Sequence, residues 1–127
     1  MEDKYKNIEV LTLDEPNLNG RTYPTHVVER AISTLPVATF GLTGTLGFVA
    51  DSNIPMDKIA FSARNLRITE GKLLCDIKTW GPQAGVLESC WDFVAFRTAG
   101  HANIDSNGVV SNYQLLYIAA VNKDTAA

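Results

Sequence analysis

The stretch of this chain that most constrains its fold is residues 17–24, which read Asn-Leu-Asn-Gly-Arg-Thr-Tyr-Pro. Asn19-Gly20 is a strong turn signal, because both residues tolerate a positive φ. Pro24 suits the first position of a helix, since its φ is fixed and it has no N–H group to leave unpaired. An apolar stripe at helical spacing follows, formed by Val27, Val28, Ala31, Ile32 and Leu35. The stretch predicts a turn between a strand over residues 8–13 and a helix over residues 24–35.

Two hairpins are predicted further along the chain. Glu70-Gly71 separates two runs with strand-like alternation, residues 58–69 and 72–79. In the first run, one face is predicted to carry Ile59, Phe61, Ala63 and Asn65. The second hairpin turn is predicted at residues 105–108, where Asn-Gly favours a type I′ turn between strands over 93–99 and 109–121.

The remaining segments complete an α+β pattern. Pro82 can open a second helix that extends to about residue 91, with a buried stripe of Leu87, Cys90 and Trp91. Residues 37–50, rich in Thr and Gly, predict one or two short strands. The total of about seven strands and two helices predicts an α+β domain built around an antiparallel sheet that is strongly curved or closed. The length of 127 residues predicts a single domain, with an N-terminal arm (1–7) and a C-terminal tail (122–127).

Several motifs resemble those of the prohead core proteases of tailed phages, which share their fold with the herpesvirus assemblin-type maturation proteases. The first is N-x-N-G-R-x-Y-P at residues 17–24, between a first strand and a first helix. Residues 79–85 resemble the family's T-P-x-G element, with a small insertion, and residues 107–115 resemble its closing strand, N-G-V-V-x-D-[FY]-E-L. The resemblance covers residues 13 to 127 and implies a small barrel flanked by helices.

The resemblance fails at the positions that carry the chemistry of this family. Phe48 occupies the histidine position of the G-E-L-D-H-P element, and Ala63 occupies that of V-S-H. Arg97 and Thr98 occupy the two serine positions of G-[IL]-S-S-R-G. Because neither a phenyl ring nor a methyl group transfers protons, the resemblance implies a catalytically inactive relative with a dry, inert pocket.

The alternative to an inactive relative is an active protease, and it depends on Thr98. A hydroxyl becomes a nucleophile when a base lies within hydrogen-bond reach. The chain has two histidines, His26 and His101. His26 falls in the first turn of the first helix, and His101 is too close in sequence to Thr98 to resemble a base from a distant strand.

The motif residues Asn19, Gly20, Arg21, Tyr23 and Pro24 are predicted to have an architectural role rather than a direct contact with a partner. The Arg21 guanidinium has five donors with which to fix the loop. The Tyr23 ring is predicted to be buried with its hydroxyl paired.

Other classes of protein and of site receive little support. Two histidines and two cysteines without ligand spacing predict no metal site, and no cofactor motif is present. A net charge of −3 argues against nucleic acid as the main partner. The uncharged run over residues 35–50 contains three glycines and a proline and falls short of a membrane span. Cys75 and Cys90 lie in apolar patterns and are predicted to be reduced core residues.

The sequence therefore predicts a non-enzymatic virion structural protein, either a capsid decoration (cement) protein or a head-assembly component. Its expected partners are the major capsid protein or other virion proteins, with self-association or symmetric assembly. It is expected in the virion after synthesis in the bacterial host cytoplasm. The candidate contact segments are 1–7, 51–58 and 122–127. The alternatives are a divergent serine/threonine-type maturation protease using Thr98 and an internal scaffold or assembly factor.

Overall fold

The computed structural model describes residues 5–17, 19–35, 41–49 and 53–123. The elements, in chain order, are β1 (Ile8–Thr12), α1 (Thr25–Ser33), β2 (Leu42–Leu46), β3 (Ile59–Thr69), β4 (Lys72–Thr79), α2 (Ala84–Ser89), β5 (Val94–Ile104) and β6 (Val110–Asn122). Short 3-10 turns precede β3 and β5, at Met56–Lys58 and Trp91–Phe93. The predictions for residues 1–4, 36–40, 50–52 and 124–127 lie outside the described residues.

The described strands form one sheet in the order β1-β4-β3-β2-β6-β5. Neighbouring strands are antiparallel except β2 and β6, which run parallel, so the sheet is mixed rather than purely antiparallel. The sheet curls into a half-barrel whose two edge strands, β1 and β5, face each other across a cleft. The α+β prediction of a curved sheet flanked by two helices is confirmed. Six strands are found in the described part of the chain instead of about seven.

The core fills the concave side of this sheet. Phe61 and Phe96 meet edge to face, with ring centroids 5.2 Å apart, and Trp91 packs against Phe96 at 5.4 Å. Leu87 of α2 is fully buried in the same cluster. Burial of an aliphatic or aromatic side chain of this size contributes about 1.5–3 kcal/mol. Burial also raises the pKa of the Cys75 thiol to about 12, so this cysteine behaves as a small core residue, as predicted.

Both helices are close to their predicted positions. The stripe of α1 buries Val27, Val28 and Ala31. The helix begins where the Asp14 carboxylate accepts hydrogen bonds from the backbone N–H and the hydroxyl of Thr25, and these bonds lower the pKa of Asp14. The second helix is shorter than predicted and gives way to a 3-10 turn, because the Cys90 N–H is shared between two successive carbonyl groups and tightens the last turn.

The two hairpin turns differ in type. Glu70 and Gly71 have φ values of 52° and 75°, so the β3–β4 turn has the two left-handed residues of type I′. At the β5–β6 turn only Gly108 has a positive φ, 83°, so the predicted type I′ turn is wrong. The Asp105 carboxylate accepts the backbone N–H groups of Asn107 and Val109, which holds the turn in a form that ends in a left-handed glycine and a bulge.

Asn65 does not share the face predicted for it. The β3–β4 register shifts between Arg64 and Arg67, and Asn65 itself has a φ of 55°. Its exposed side chain donates a hydrogen bond of 3.1 Å to Asp76 of β4. Arg67 and the Asn7 backbone N–H also donate to the Asp76 carboxylate. The bulge therefore ends the alternation of side-chain directions in β3 after Ala63. The Asp76 carboxylate links β3, β4 and the start of β1.

Candidate active site

A large cleft lies between the two edge strands of the sheet and has a volume of about 1010 Å³. Its walls are β1, the loop from β1 to α1, and β5, together with Phe48 and Tyr113. A second pocket of about 460 Å³ lies between the same two strands and is lined by Trp91 and Lys123. Arg97 lines both cavities, so one cavity lies on each side of this residue between β1 and β5.

The loop that carries the Asn-Gly-Arg motif is fixed by Asn17. Its side-chain oxygen accepts the backbone N–H groups of Asn19 and Arg21 at 2.9 and 3.0 Å. Its own N–H donates to the Arg21 carbonyl at 2.9 Å, and Gly20 has a φ of 76°. Asn17 therefore takes the role predicted for the Arg21 guanidinium. The Arg21 side chain is exposed and lines the cleft.

The same loop is attached to the β5–β6 turn by a short parallel bridge. The Thr22 N–H donates to the Gly108 carbonyl at 2.8 Å, and the Val110 N–H donates to the Thr22 carbonyl at 2.9 Å. A Cβ atom on Gly108 would lie 2.1 Å from the Gly20 carbonyl oxygen. Two parts of the chain that are far apart in sequence thus meet backbone to backbone, and together they close one end of the cleft.

Tyr23 enters the core beside this bridge, as predicted. It is 8% exposed, and its ring meets that of Tyr113 edge to face at 5.3 Å. Pro24 follows in an extended conformation and leads directly into α1. The motif therefore supplies both a wall of the cleft and an aromatic support for Tyr113.

Thr98 lies half-buried on β5, and its hydroxyl is near enough to the Tyr113 phenol on β6 to affect the pKa of that phenol. Burial raises the pKa of the Tyr113 phenol well above its ordinary value. The nearby Thr98 hydroxyl lowers this pKa, Tyr23 raises it further, and burial outweighs the effect of Thr98. The phenol is therefore protonated at neutral pH, and the two hydroxyl groups form a neutral pair in the cleft.

Neither histidine is a partner of Thr98. His101 lines the same cleft from β5, three residues after Thr98, but no hydrogen bond joins these two described side chains. His26 is exposed on α1, outside the cleft lining. The Thr98–His101 pair considered from the sequence is thus not formed.

Three of the four positions at which the resemblance places catalytic groups line the cleft. Phe48 is 60% exposed there, and Arg97 and Thr98 line it from β5. The Arg97 guanidinium donates to the Phe96 carbonyl of its own strand at 2.9 Å. Ala63 is fully buried in the core, opposite Leu42 of β2, because its strand runs through the middle of the sheet. The cleft is open, and the dry pocket expected around Phe48 is not found.

The residues that the sequence did not single out are Tyr113 and Asn17. Tyr113 falls within the matched closing strand, but only the fold shows that its hydroxyl reaches Thr98. Among the described residues no group of three or more His, Cys, Asp or Glu side chains is placed to hold a metal ion. Within the same residues, no helix has the length and apolar character needed to cross a membrane.

Comparison with known proteins finds a solved structure that is similar to this chain. No protein-family model and no curated protein sequence matches the chain. The chain is similar to the structure of the bacteriophage T4 capsid assembly protease, gp21, with a TM-score of 0.70 and 21% sequence identity. The similarity covers 89% of this chain and 78% of that one.

This comparison confirms the resemblance to the prohead proteases at the level of the fold, and it corrects one prediction. The sequence predicted a protein that is not an enzyme. The solved structure with the same fold is that of a protease, which contradicts that prediction. The chain has the fold of a phage capsid assembly protease.

Proposed function

We propose that this chain is a peptidase of phage head assembly that cleaves an extended segment of a head protein, with Thr98 as the nucleophile. The observation that carries the proposal is that Thr98 and Tyr113 line the same cleft of a protease fold, with their hydroxyl groups close together. A hydroxyl held beside a second titratable group in a substrate-sized cleft is the minimal arrangement for acyl transfer.

The free edge of β5 supports an extended peptide as the substrate. The Lys123 N–H donates to the Phe93 carbonyl at 2.9 Å, and Ala95 and Arg97 are the next alternate residues paired across to β6. In an antiparallel ladder the residues between them direct their N–H and C=O groups to the other edge. Thr98 therefore presents its backbone groups to the cleft, where a peptide strand can add to the sheet, whereas the Phe96 carbonyl already accepts the Arg97 guanidinium.

The neutral Thr98–Tyr113 pair implies a proton relay rather than an imidazole base. Thr98 Oγ1 attacks the peptide carbonyl carbon, and its proton passes to Tyr113 Oη while the phenolic proton passes to the departing amine nitrogen. The C–O bond forms as the C–N bond breaks. Water then reverses the path to release the acid. Because the phenol is protonated at neutral pH, Tyr113 enters this cycle with the proton that the leaving group needs.

The test uses a library of peptides prepared by digesting a bacterial proteome, so the natural substrate need not be known. New peptide termini are identified by mass spectrometry after incubation with the wild-type chain and its variants. We expect Thr98→Ala to abolish the new termini and Thr98→Ser to retain them. Tyr113→Phe is expected to lower kcat by about 100-fold or more, because it removes the relay. His101→Ala is the matched control in the same cleft and is expected to retain activity.

Two results would contradict the proposal: no new termini with wild-type protein, or the same termini with Thr98→Ala. A third measurement tests the mechanism alone. Without an imidazole base, the pH–rate profile is expected to lack a limb near pH 6.5, the ordinary pKa of histidine. Such a limb, together with its loss in His101→Ala, would show that histidine is the base.

The partners and location follow from the same proposal. The substrate would be the major capsid protein or another head protein. The chain would act within a symmetric assembly and would reside in the prohead or the phage particle. Immunodetection of the chain in isolated proheads and in mature virions tests the location. Presence only in the cell extract, outside both particles, would contradict it.

A further inference from the structure

The positively charged residues of β3 and β4 fall into two groups. Arg67 and Lys72 each form an ion pair with an acidic residue, at 3.2 and 3.4 Å. Arg64 and Lys78 form no ion pair with any carboxylate of the described residues. Lys78 is exposed and Arg64 is half-buried. Two positive charges of this hairpin are therefore left to attract a negatively charged group from outside the chain.

Strand pairing places these two cations on one face of the sheet. Lys78 lies opposite Ser62, and Arg64 follows Ser62 by two positions on β3. Trp80 extends the same face, since its N–H donates to the Ala60 carbonyl at 3.0 Å and continues the ladder. Paired residues, and alternate residues of one strand, direct their side chains to the same side. We call Ser62, Arg64, Lys78 and Trp80 the basic face; none of the four lines the cleft or the second pocket.

Two shielded donors on the basic face have no hydrogen-bond partner among the described residues. They are the hydroxyl of Ser62, a residue that is 2% exposed, and Nε of Arg64. The Arg64 stem packs closely against the backbone just before β2, because a Cβ atom on Gly41 would lie 3.0 Å from Arg64 Cγ. A donor shielded from water is stabilised by an oxygen acceptor, so these groups favour a bound carboxylate or phosphate.

An apolar surface adjoins the basic face at Trp80. The Trp80 side chain is 42% exposed, and that of Met56 is 79% exposed. The 3-10 turn of Met56 is bonded to the segment after Trp80. Gln83 donates its backbone N–H to the Ile59 carbonyl and its side-chain amide to the Asp57 carbonyl, at 2.9 and 3.0 Å. Exposed apolar side chains beside unpaired cations indicate a partner that is acidic and partly apolar.

Peptide carboxylates fit this surface better than the phosphates of a nucleic acid. The whole chain has a net charge of −3, and Asp57 and Asp76 lie near the basic face. A nucleic acid carries its negative charge far beyond one small face, where it meets this repulsion. A short acidic segment confines its charge to the two cations. A carboxylate also accepts two parallel hydrogen bonds from one edge of a guanidinium, such as the edge that contains Nε of Arg64.

We propose that the basic face docks an acidic segment of a partner protein. Carboxylates of the segment bind Arg64 and Lys78, and an apolar side chain of the segment lies on Trp80. The inference goes beyond the proposed peptidase function and does not depend on it, because the basic face lies outside the cleft that contains Thr98. It adds a second surface, at which another protein is held without being cleaved.

The test measures the fluorescence anisotropy of a short labelled peptide that has several glutamates around one leucine. We expect this peptide to bind wild-type protein about tenfold more tightly than the same peptide with glutamines, because hydrogen bonds between charged groups are strong. Lys78→Gln and Trp80→Ser are each expected to weaken binding about tenfold. Arg30→Gln is the matched control, since it removes an exposed positive charge from α1, and it is expected to change the affinity by less than about twofold.

Charge reversal and NMR locate the binding on the basic face. Lys78→Glu is expected to bind the glutamate peptide more weakly than Lys78→Gln does, because repulsion replaces a lost attraction. The indole N–H signal of Trp80 is expected to shift when the glutamate peptide is added. The corresponding signal of Trp91, which packs against Phe96 in the core, is expected to stay unchanged.

The outcomes separate this inference from the peptidase proposal. Thr98→Ala is expected to bind the glutamate peptide as wild-type protein does, so a failure of the peptidase proposal leaves the docking proposal intact. Equal affinity for the glutamate and glutamine peptides, or an equal loss in Lys78→Gln and Arg30→Gln, would overturn the docking proposal. An oligothymidylate that binds more tightly than the peptide, through Lys78 and Trp80, would also overturn it and identify nucleic acid as the ligand.

Discussion

The bridge between the motif loop and the β5–β6 turn depends on Gly108 for two separate reasons. With a φ of 83°, alanine there carries the strain of a left-handed residue, about 1–2 kcal/mol. Its Cβ atom would also lie 2.1 Å from the Gly20 carbonyl oxygen, and both groups are backbone. The loop and the turn must separate, which breaks the two hydrogen bonds of Thr22 at about 1 kcal/mol each. Gly108→Ala is therefore expected to destabilise the fold by about 3–4 kcal/mol.

Gly71→Ala is the matched control for this prediction. Gly71 has a similar φ of 75°, but a Cβ atom there would meet nothing within 4 Å. Only the backbone strain applies, so the expected loss is about 1–2 kcal/mol. Urea unfolding followed by the fluorescence of Trp80 and Trp91 measures both variants against wild-type protein. Equal losses of unfolding free energy in the two variants would refute the reasoning, because the close approach of Gly108 to Gly20 would then add nothing to the destabilisation.

Three further predictions follow from individual side chains. Burial tends to raise the pKa of Asp76, yet its hydrogen bonds lower this pKa below the ordinary value. The carboxylate therefore contributes its full stabilisation above about pH 4, and this contribution is lost as the pH falls through the folded-state pKa. Asp76→Asn should therefore reduce the loss of stability in acid, as measured by urea unfolding at a series of pH values. The buried Cys75 thiol should resist a thiol reagent at about pH 8 until the chain unfolds, whereas the half-buried Cys90 should react earlier in the native protein; equal rates would contradict this. Gly44→Ala should destabilise by about 1–3 kcal/mol, because its Cβ atom would lie 2.2 Å from the Phe61 ring; an unchanged thermal midpoint would contradict it.

Local chemistry allowed most of the elements to be predicted from the sequence. Glu70-Gly71 and the apolar stripe of α1 are read correctly, because turn residues and helical spacing act over a few neighbouring positions. Asn65 was misplaced because a bulge breaks the alternation that the prediction assumes. The turn at Gly108 was given the wrong type, since the Asp105 side chain competes for the backbone N–H groups of the turn.

The candidate site could be predicted only in part. The resemblance placed Phe48, Arg97 and Thr98, and all three line one cleft. It could not show that Ala63 lies in the core or that Tyr113 reaches Thr98, because both depend on how distant strands pair. The prediction that no enzyme remains came from the missing imidazoles alone, and it is contradicted by the fold, which is that of a capsid assembly protease.

The parallel pairing of β2 with β6 also governs how the molecule is made on the ribosome. Strand β6 lies between β2 and β5, so before residues 110–122 are translated β5 has no hydrogen-bonded neighbour in the described sheet. The nascent chain can form β1, β4, β3 and β2 as one piece, but the wall that carries Thr98 joins it only after β6 has emerged. Synthesis itself thus delays the appearance of a complete cleft until residues 110–122 have emerged.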